Sequence, residues 1–299
     1  MRIMKKAHFL GLPALTGIFI AWAGLLVAGV QSPVSAETLK YSGCGIVKKA
    51  FMVELAAAFT AKTGIQVEIK GGGAMLGIRN VVAGITQVGG SCRPELDFKE
   101  EKGAKRHHVG WDAIVVIVHR RNPVDAISFS QLEALVAGKI TDWAALGGPE
   151  NTPLEFYARE GKLSGVGHMA RMLISFDSDQ VFSAAKRFKS SGPLESALEN
   201  DVGRWAIALT GVSSAKRRNV KMLTLDGIYP SKENIMAGKY PALYRPLYLF
   251  TKGEPKGLAK QFIDFALSAQ GQAVISKAGT VNLEEGKALW NKYRIGMGF

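Results

Sequence analysis

The chain has 299 residues, of which 47% are hydrophobic, 21% charged and 9% aromatic, with a formal net charge of +13. This mix excludes global disorder and is long enough for one or two buried cores. The positive balance favours anionic partners. However, Arg120-Arg121, Arg217-Arg218 and Lys105-Arg106-His107-His108 are short clusters without interleaved aromatics, so no nucleic-acid partner is expected.

Residues 1–36 read as a secretory signal peptide. Arg2, Lys5 and Lys6 form a positive start, Phe9 to Val30 is an apolar stretch without acids, and Val34-Ser35-Ala36 suits a signal peptidase. The alternative for the same stretch is a membrane anchor, because it is long enough to span a bilayer. No cysteine lies near the cleavage point, so a lipid-anchored start is not indicated. Export places residues 37–299 in the periplasm after cleavage. That part has no later run of 18 apolar residues and is expected to be soluble.

Short apolar runs then alternate with amphipathic segments, the pattern of an α/β fold. Leu39–Tyr41 predicts a strand, Ser42-Gly43-Cys44-Gly45 a tight turn, and Val47 to Thr63 a helix with Phe51, Leu55 and Phe59 on one face. Ile65–Ile69 alternates as a strand, Gly71-Gly72-Gly73-Ala74 is a permissive loop, and Leu76 to Ala83 is a helix. Gln87-Val88-Gly89 is another strand, ending in Gly90-Ser91-Cys92-Arg93-Pro94. Three strand ends thus run into small-residue loops, where ligands sit in open α/β sheets. His107-His108 falls on a polar stretch that reads as solvated loop. Ala113 to Val118 is a strong apolar strand, and Ser128 to Ala137 a helix capped near Ser128. Ile140-Thr141-Asp142-Trp143 begins a short element, Leu154–Ala158 is a strand, Arg159 to Gly167 a loop, and His168 to Phe176 a helix opening. Leu243–Thr251 is a second apolar strand, and Leu258 to Lys277 one long amphipathic helix.

The two cysteines, Cys44 and Cys92, sit in two of the small-residue loops. Export allows a disulfide between them. There is no CxxC or CxxCH, so zinc-ribbon, thioredoxin-like and haem-attachment readings fail.

From Gly71 onward the order of motifs resembles the phosphate-binding subunits of bacterial phosphate ABC transporters, within the type II periplasmic binding proteins. The segments that carry the likeness are Gly71-Gly72-Gly73-Ala74-Met75-Leu76-Gly77-Ile78, Val88-Gly89-Gly90-Ser91-Cys92-Arg93-Pro94, Asp112-Ala113-Ile114-Val115-Val116 and Ala137-Gly138-Lys139-Ile140-Thr141-Asp142-Trp143. Arg159-Glu160-Gly161-Lys162-Leu163-Ser164-Gly165, Gly238-Lys239-Tyr240-Pro241, Arg245-Pro246-Leu247-Tyr248-Leu249 and Ser268-Ala269-Gln270-Gly271-Gln272 continue it. The resemblance implies two α/β lobes closing like a hinge on a ligand, and delivery of that ligand to an ABC permease or a membrane sensor. Residues 37–112 plus 245–299 are expected to form lobe 1 and residues 113–244 lobe 2. Two hinge strands, Ala113–Val118 and Leu243–Thr251, are expected to cross between them. No cofactor is implied, and a monomer is expected.

For an oxyanion, the resemblance assigns a bidentate Arg159 and donors from Ser164, Gly165 and Ser91. Here the chain departs from the pattern. Cys44 and Gly45 stand where relatives place hydroxyls, Ala74 replaces a Ser, Val166 replaces a Thr, and Cys92 replaces an acid or a second Ser. The ligand site is therefore expected to comprise Cys44, Gly45, Gly73, Ala74, Ser91, Cys92, Arg159, Ser164, Gly165, Val166 and His168. The leading expectation is a small phosphate-like oxyanion bound without catalysis. The alternative is a thiophilic metalloid or soft metal held by Cys44 and Cys92, with His168 as a further ligand. A hydrolase built from Ser164, His168 and Asp112, or from Cys92 and His168, ranks below both, since no Gly-x-Ser-x-Gly elbow is present.

Overall fold

The computed structural model describes residues 37–241 and 243–297; the signal peptide expected over residues 1–36 lies outside them. Strand β1 (Thr38–Gly43) buries Leu39 and Tyr41 and exposes Lys40, the alternation of a strand with one covered face. Through Cys44 it enters α1 (Gly45–Val47), a π-helical turn (Lys48–Met52) and α2 (Val53–Thr63), which stops at Gly64 in the left-handed conformation. Next come β2 (Gln66–Gly71), α3 (Gly73–Val82) and β3 (Val88–Ser91). Strand β1 pairs in parallel with both β2 and β3, so that Gly43 lies opposite Gly71 and Gly90. The loops leaving all three strands therefore open on one end of the sheet, the carboxyl end where α/β proteins bind ligands.

Helix α3 lies so close to β3 that a Cβ on Gly89 would overlap the Gly77 carbonyl oxygen. Backbone blocks the space, so no rotamer relieves the clash. Gly89→Ala is expected to destabilise the fold by about 1–3 kcal/mol. The check is urea unfolding, where the midpoint falls and the m-value stays unchanged.

The chain continues with β4 (Ala104–His119), β5 (Ala126–Ile127), α4 (Phe129–Val136), β6 (Glu155–Arg159), α5 (Gly165–Ser175), β7 (Lys186–Phe188) and α6 (Ser191–Glu199). It ends with β8 (Ala206–Gly211), α7 (Val212–Ala215), β9 (Val220–Met222), β10 (Thr224–Leu225), α8 (Lys232–Met236), β11 (Tyr244–Lys252), α9 (Gly257–Leu267), α10 (Ala269–Lys277) and α11 (Leu289–Gly296). Among the described residues, nine strands form one sheet in the order β2-β1-β3-β11-β4-β8-β6-β7, with β9 also on β4; β5 and β10 pair separately. Strand β4 bridges the two halves. Its first part pairs with β11 and its second part, Ile114–Val118, with β8.

Buried apolar side chains fall into two main clusters. One holds Leu39, Phe51, Phe59, Leu247 and Phe262 around β1, α2 and α9. The other holds Ile114 to Val118, Trp143, Phe156, Leu194 and Ile207, and also takes in Trp111, Val281 and Tyr293. Among the described residues, no helix is long and apolar enough to cross a membrane.

Three elements differ from the sequence expectation. Strand β4 begins at Ala104, so His107 and His108 lie on a strand rather than in a loop. Main-chain pairing with β11 holds this polar stretch, and His108 packs edge-on against Trp111 at 4.7 Å between ring centres. Helix α5 begins at Gly165 rather than His168, because Ser164 caps it. The single helix expected over Leu258 to Lys277 breaks at Ser268, which leaves helical geometry (ψ 160°) and caps α10 through its hydroxyl.

Candidate functional site

Four helices begin at the wall of one cleft. Gly45 of α1, Gly73 of α3, Gly165 of α5 and Ser191 of α6 all line a cavity of about 680 Å³ between the two halves. The first N–H groups of a helix have no intrahelical acceptor, and its N-terminus carries partial positive charge. In α5 the Ser164 hydroxyl takes the N–H of Gly167 at 3.1 Å, and the Ser164 carbonyl takes that of His168. Gly165 and Val166, the two preceding donors on the same turn, both line the cleft. Lys49, Arg159, Lys162 and Lys189 line it too, with Glu160 as the acid. Lys49 and Lys162 are paired with Glu195 and Asp179, so Arg159 and Lys189, together with the helix starts, draw anions to this wall.

Nine of the eleven expected residues line this cleft: Cys44, Gly45, Gly73, Ala74, Cys92, Arg159, Ser164, Gly165 and Val166. Ser91 does not. It is fully buried, and its hydroxyl donates to the Arg93 carbonyl at 2.7 Å and accepts from the Arg93 N–H. His168 does not either. It is buried in α5, where Arg93, Arg171 and Glu101 act on it. Among the described residues, no three His, Cys, Asp or Glu side chains gather closely enough to hold a metal ion, so Cys44, Cys92 and His168 do not form a three-ligand metal site.

The two cysteines are unbridged and buried. Cys44 is the N-cap of α1, and its sulfur accepts the Val47 N–H at 3.4 Å. Burial and its neighbour Cys92 push the Cys44 thiol well up, whereas Cys92 is pushed down to about 7, chiefly by the neighbouring Cys44 and then by the nearby Arg245 and Arg159 charges. Beneath them lies the fully buried Arg245. Its Nη2 donates to Asp112 Oδ2 at 3.1 Å, while its Nε and Nη1 have no hydrogen-bond partner. Asp112 Oδ1 accepts from both the N–H and the hydroxyl of Ser213. The Tyr41 hydroxyl, also buried beside the two thiols, has no partner.

Arg159 ends β6 with its guanidinium spread over the loop that precedes α6. Nε donates to the Phe188 carbonyl at 3.1 Å, Nη1 to Ser191 Oγ at 2.9 Å and Nη2 to the Lys189 carbonyl at 2.6 Å. Three of five N–H donors are used in this way, which leaves two for the cleft. The two halves meet here. A Cβ on Gly165 would stand 2.5 Å from Cys92 Sγ and 3.0 Å from the Ala74 Cβ, so only glycine allows α5 to approach so closely. Lys49 reaches across to Glu195 at 2.7 Å and Ser214 at 2.8 Å, and Arg93 Nε reaches the Leu163 carbonyl at 3.0 Å.

Burial, then Arg93 and Arg171, depress the His168 pKa to about 4, and burial depresses that of His108 to about 4 as well. Both rings stay neutral when folded but protonate near 6.5 when unfolded. Stability is therefore complete above about pH 6.5, falls as pH drops toward 4, and levels off below that. Melting temperatures at pH 7 and pH 4.5 check this: His168→Gln is expected to lose less on acidification than the parent does. The Ser164, His168 and Asp112 set of the catalytic alternative is not joined. Ser164 caps its own helix and Asp112 is spent on Ser213 and Arg245; among the described residues, no hydrogen bond joins Ser164, His168 and Asp112.

Sequence reading missed Lys49, Lys189, Ser191 and the buried Arg245 as parts of this region. One local signal was present: Lys189-Ser190-Ser191-Gly192 is a basic, small-residue loop before a helix. For Lys49 and Arg245 the chain carries no local signal, because tertiary folding alone brings them to the cleft.

A sequence profile described as a PBP superfamily domain matches residues 32–270. The phosphate-binding protein PstS of Borreliella burgdorferi is 25% identical over 222 residues, 71% of this chain and 78% of that protein. The phosphate-binding protein PstS of Bacillus subtilis is 25% identical over 225 residues, 74% of this chain and 72% of that one. Among solved structures, a Clostridium perfringens protein described as a phosphate ABC transporter substrate-binding protein, with phosphate bound, superimposes with a TM-score of 0.73 at 28% identity, covering 82% of this chain and 99% of that one.

Proposed function

The chain belongs to the PBP superfamily, and from that premise we propose that it is an exported solute-binding protein that captures a small phosphate-like oxyanion between its lobes and hands it to a membrane permease or sensor. The observation that carries this reading is the convergence of four helix N-termini and four cationic side chains on one cleft. The relatives support it, two being named phosphate-binding proteins and one having phosphate bound. In this reading residues 37–112 with 245–299 form one lobe and residues 113–244 the other, and β4 carries the hinge. In this reading the site binds without turnover.

The cleft lacks side-chain hydroxyls at Cys44, Ala74, Cys92 and Val166. Each missing hydrogen bond to an oxyanion weakens binding by roughly 1–3 kcal/mol. Val166→Thr, which returns one hydroxyl to the cleft wall, is expected to tighten phosphate binding by about an order of magnitude. The reading as a whole is tested by thermal-shift titration of reduced protein with phosphate, arsenate, sulfate and molybdate. A bound anion raises the melting temperature in proportion to the logarithm of its concentration over its Kd. Saturable stabilisation by at least one tetrahedral anion supports the reading, and a flat response to all four overturns it.

A further inference from the structure

The cleft floor holds a feature that oxyanion binding does not use. Cys44 and Cys92 follow adjacent parallel strands, and both line the cavity although each is at most 5% exposed. We propose that these two thiols form a capture site for the neutral oxyacid of a trivalent metalloid, for which arsenous acid is the probe. The inference shares the cleft with the oxyanion reading, but the bonds to the metalloid come from two sulfur atoms.

Three observations select this chemistry. Sulfur ligands prefer soft centres, and the two thiols follow the ends of adjacent strands on the wall of one cavity. No third His, Cys, Asp or Glu is gathered with them among the described residues, which leaves a four-coordinate zinc ion two ligands or more short. A trivalent metalloid bound by two sulfurs keeps one oxygen and needs no further protein ligand. Finally, the surroundings are cationic. Arg245, paired with Asp112 but with two nitrogens unpartnered, and Arg159 both act on the pair, and Lys189 lines the same cleft while Lys49 there is paired with Glu195. A metal cation meets repulsion there, whereas a neutral oxyacid does not.

The step balances as As(OH)3 + 2 Cys–SH → (Cys–S)2As–OH + 2 H2O. Two S–H and two As–O bonds break, and two S–As and two O–H bonds form. The two thiol protons leave in water, and no atom changes oxidation state. The remaining As–OH group is left for the donors that line the cleft, among them Ser164 and Arg159.

The test is titration of reduced protein with sodium arsenite, read by intact mass and by the number of titratable thiols, with a phosphate thermal shift run in parallel on every variant. The expected result is one arsenic per chain and loss of both free thiols. Cys44→Ser and Cys92→Ser are each expected to weaken capture by at least about 100-fold, because chelation by two linked groups is lost, while each variant keeps a cooperative melt. Alanine at either position serves as a second variant if serine impairs folding. Absence of uptake by the parent, or equal uptake by a Cys92 variant, overturns the proposal. If phosphate fails to stabilise any variant while arsenite is still captured, the oxyanion reading falls and this one stands.

Discussion

Glu101→Ala is expected to destabilise the protein by about 3–5 kcal/mol, the cost of leaving a buried charge without its partner. Glu101 and Arg93 are both fully buried and meet in a two-pronged pair, Nη1 to Oε2 at 2.9 Å and Nη2 to Oε1 at 2.7 Å. The carboxylate also accepts the Leu96 N–H at 2.9 Å. The guanidinium donates further to the Pro94 and Leu163 carbonyls. Alanine removes the acceptor for two charged donors and one amide in a site water does not reach. For a chain of this size a loss of 1 kcal/mol lowers the melting temperature by roughly 2–4 °C, so the drop is readily measured. Glu101→Gln keeps an acceptor and is expected to fall between parent and alanine. Removing both partners, as in Arg93→Met with Glu101→Leu, is expected to cost less than Glu101→Ala alone. If the double variant melts lower than the single one, the cost lies in packing and the charge argument fails. Because Arg93 ties the loop after β3 to the loop before α5, the same change loosens the closed arrangement of the cleft.

The second large effect concerns binding. Arg159→Ala is expected to weaken oxyanion affinity by about 10- to 150-fold, the loss of a charge-assisted hydrogen bond of roughly 1.5–3 kcal/mol. Two routes act together. The guanidinium is the charged donor with N–H groups left for the cleft, and it also fixes the Phe188–Ser191 loop that aims α6 at the same space. Arg159→Lys retains the charge without the planar fork. If lysine restores affinity, long-range charge governs binding. If lysine fails while the melting temperature is unchanged, the fork geometry governs it. An Arg159→Ala protein that binds the anion as tightly as the parent contradicts the placement of ligand in this cleft.

Much of the architecture could be read from local pattern because small-residue loops follow apolar strands with little ambiguity. Ser42-Gly43-Cys44-Gly45, Gly71-Gly72-Gly73-Ala74 and Gly90-Ser91-Cys92 are such loops, and the structure places all three at the same sheet end. Ser128, read as a cap, does cap α4, and its own N–H donates in return to the Gln131 side-chain oxygen. The illegible parts share a cause. Strand β4 was undercounted because its first half is held by backbone pairing and by packing against aromatics from α11, which polar side chains at 105–108 conceal. Ser91 was expected to donate to ligand, but its hydroxyl closes a local turn with Arg93, a contact between near neighbours that a motif does not reveal. The expected role of His168 failed for a matter of phase: α5 starts three residues earlier than its apolar periodicity indicated, which rotates His168 away from the cleft. Arg245 joins Asp112 across 133 residues of sequence, a distance no local pattern spans.

Isothermal titration calorimetry of phosphate into the reduced protein tests the anion cleft most directly. One saturable site per chain is predicted, its affinity falling as salt is raised and dropping at least tenfold in Arg159→Ala. Heat that never saturates, or a site that Arg159→Ala leaves untouched, contradicts the idea that these four helix starts enclose a bound oxyanion.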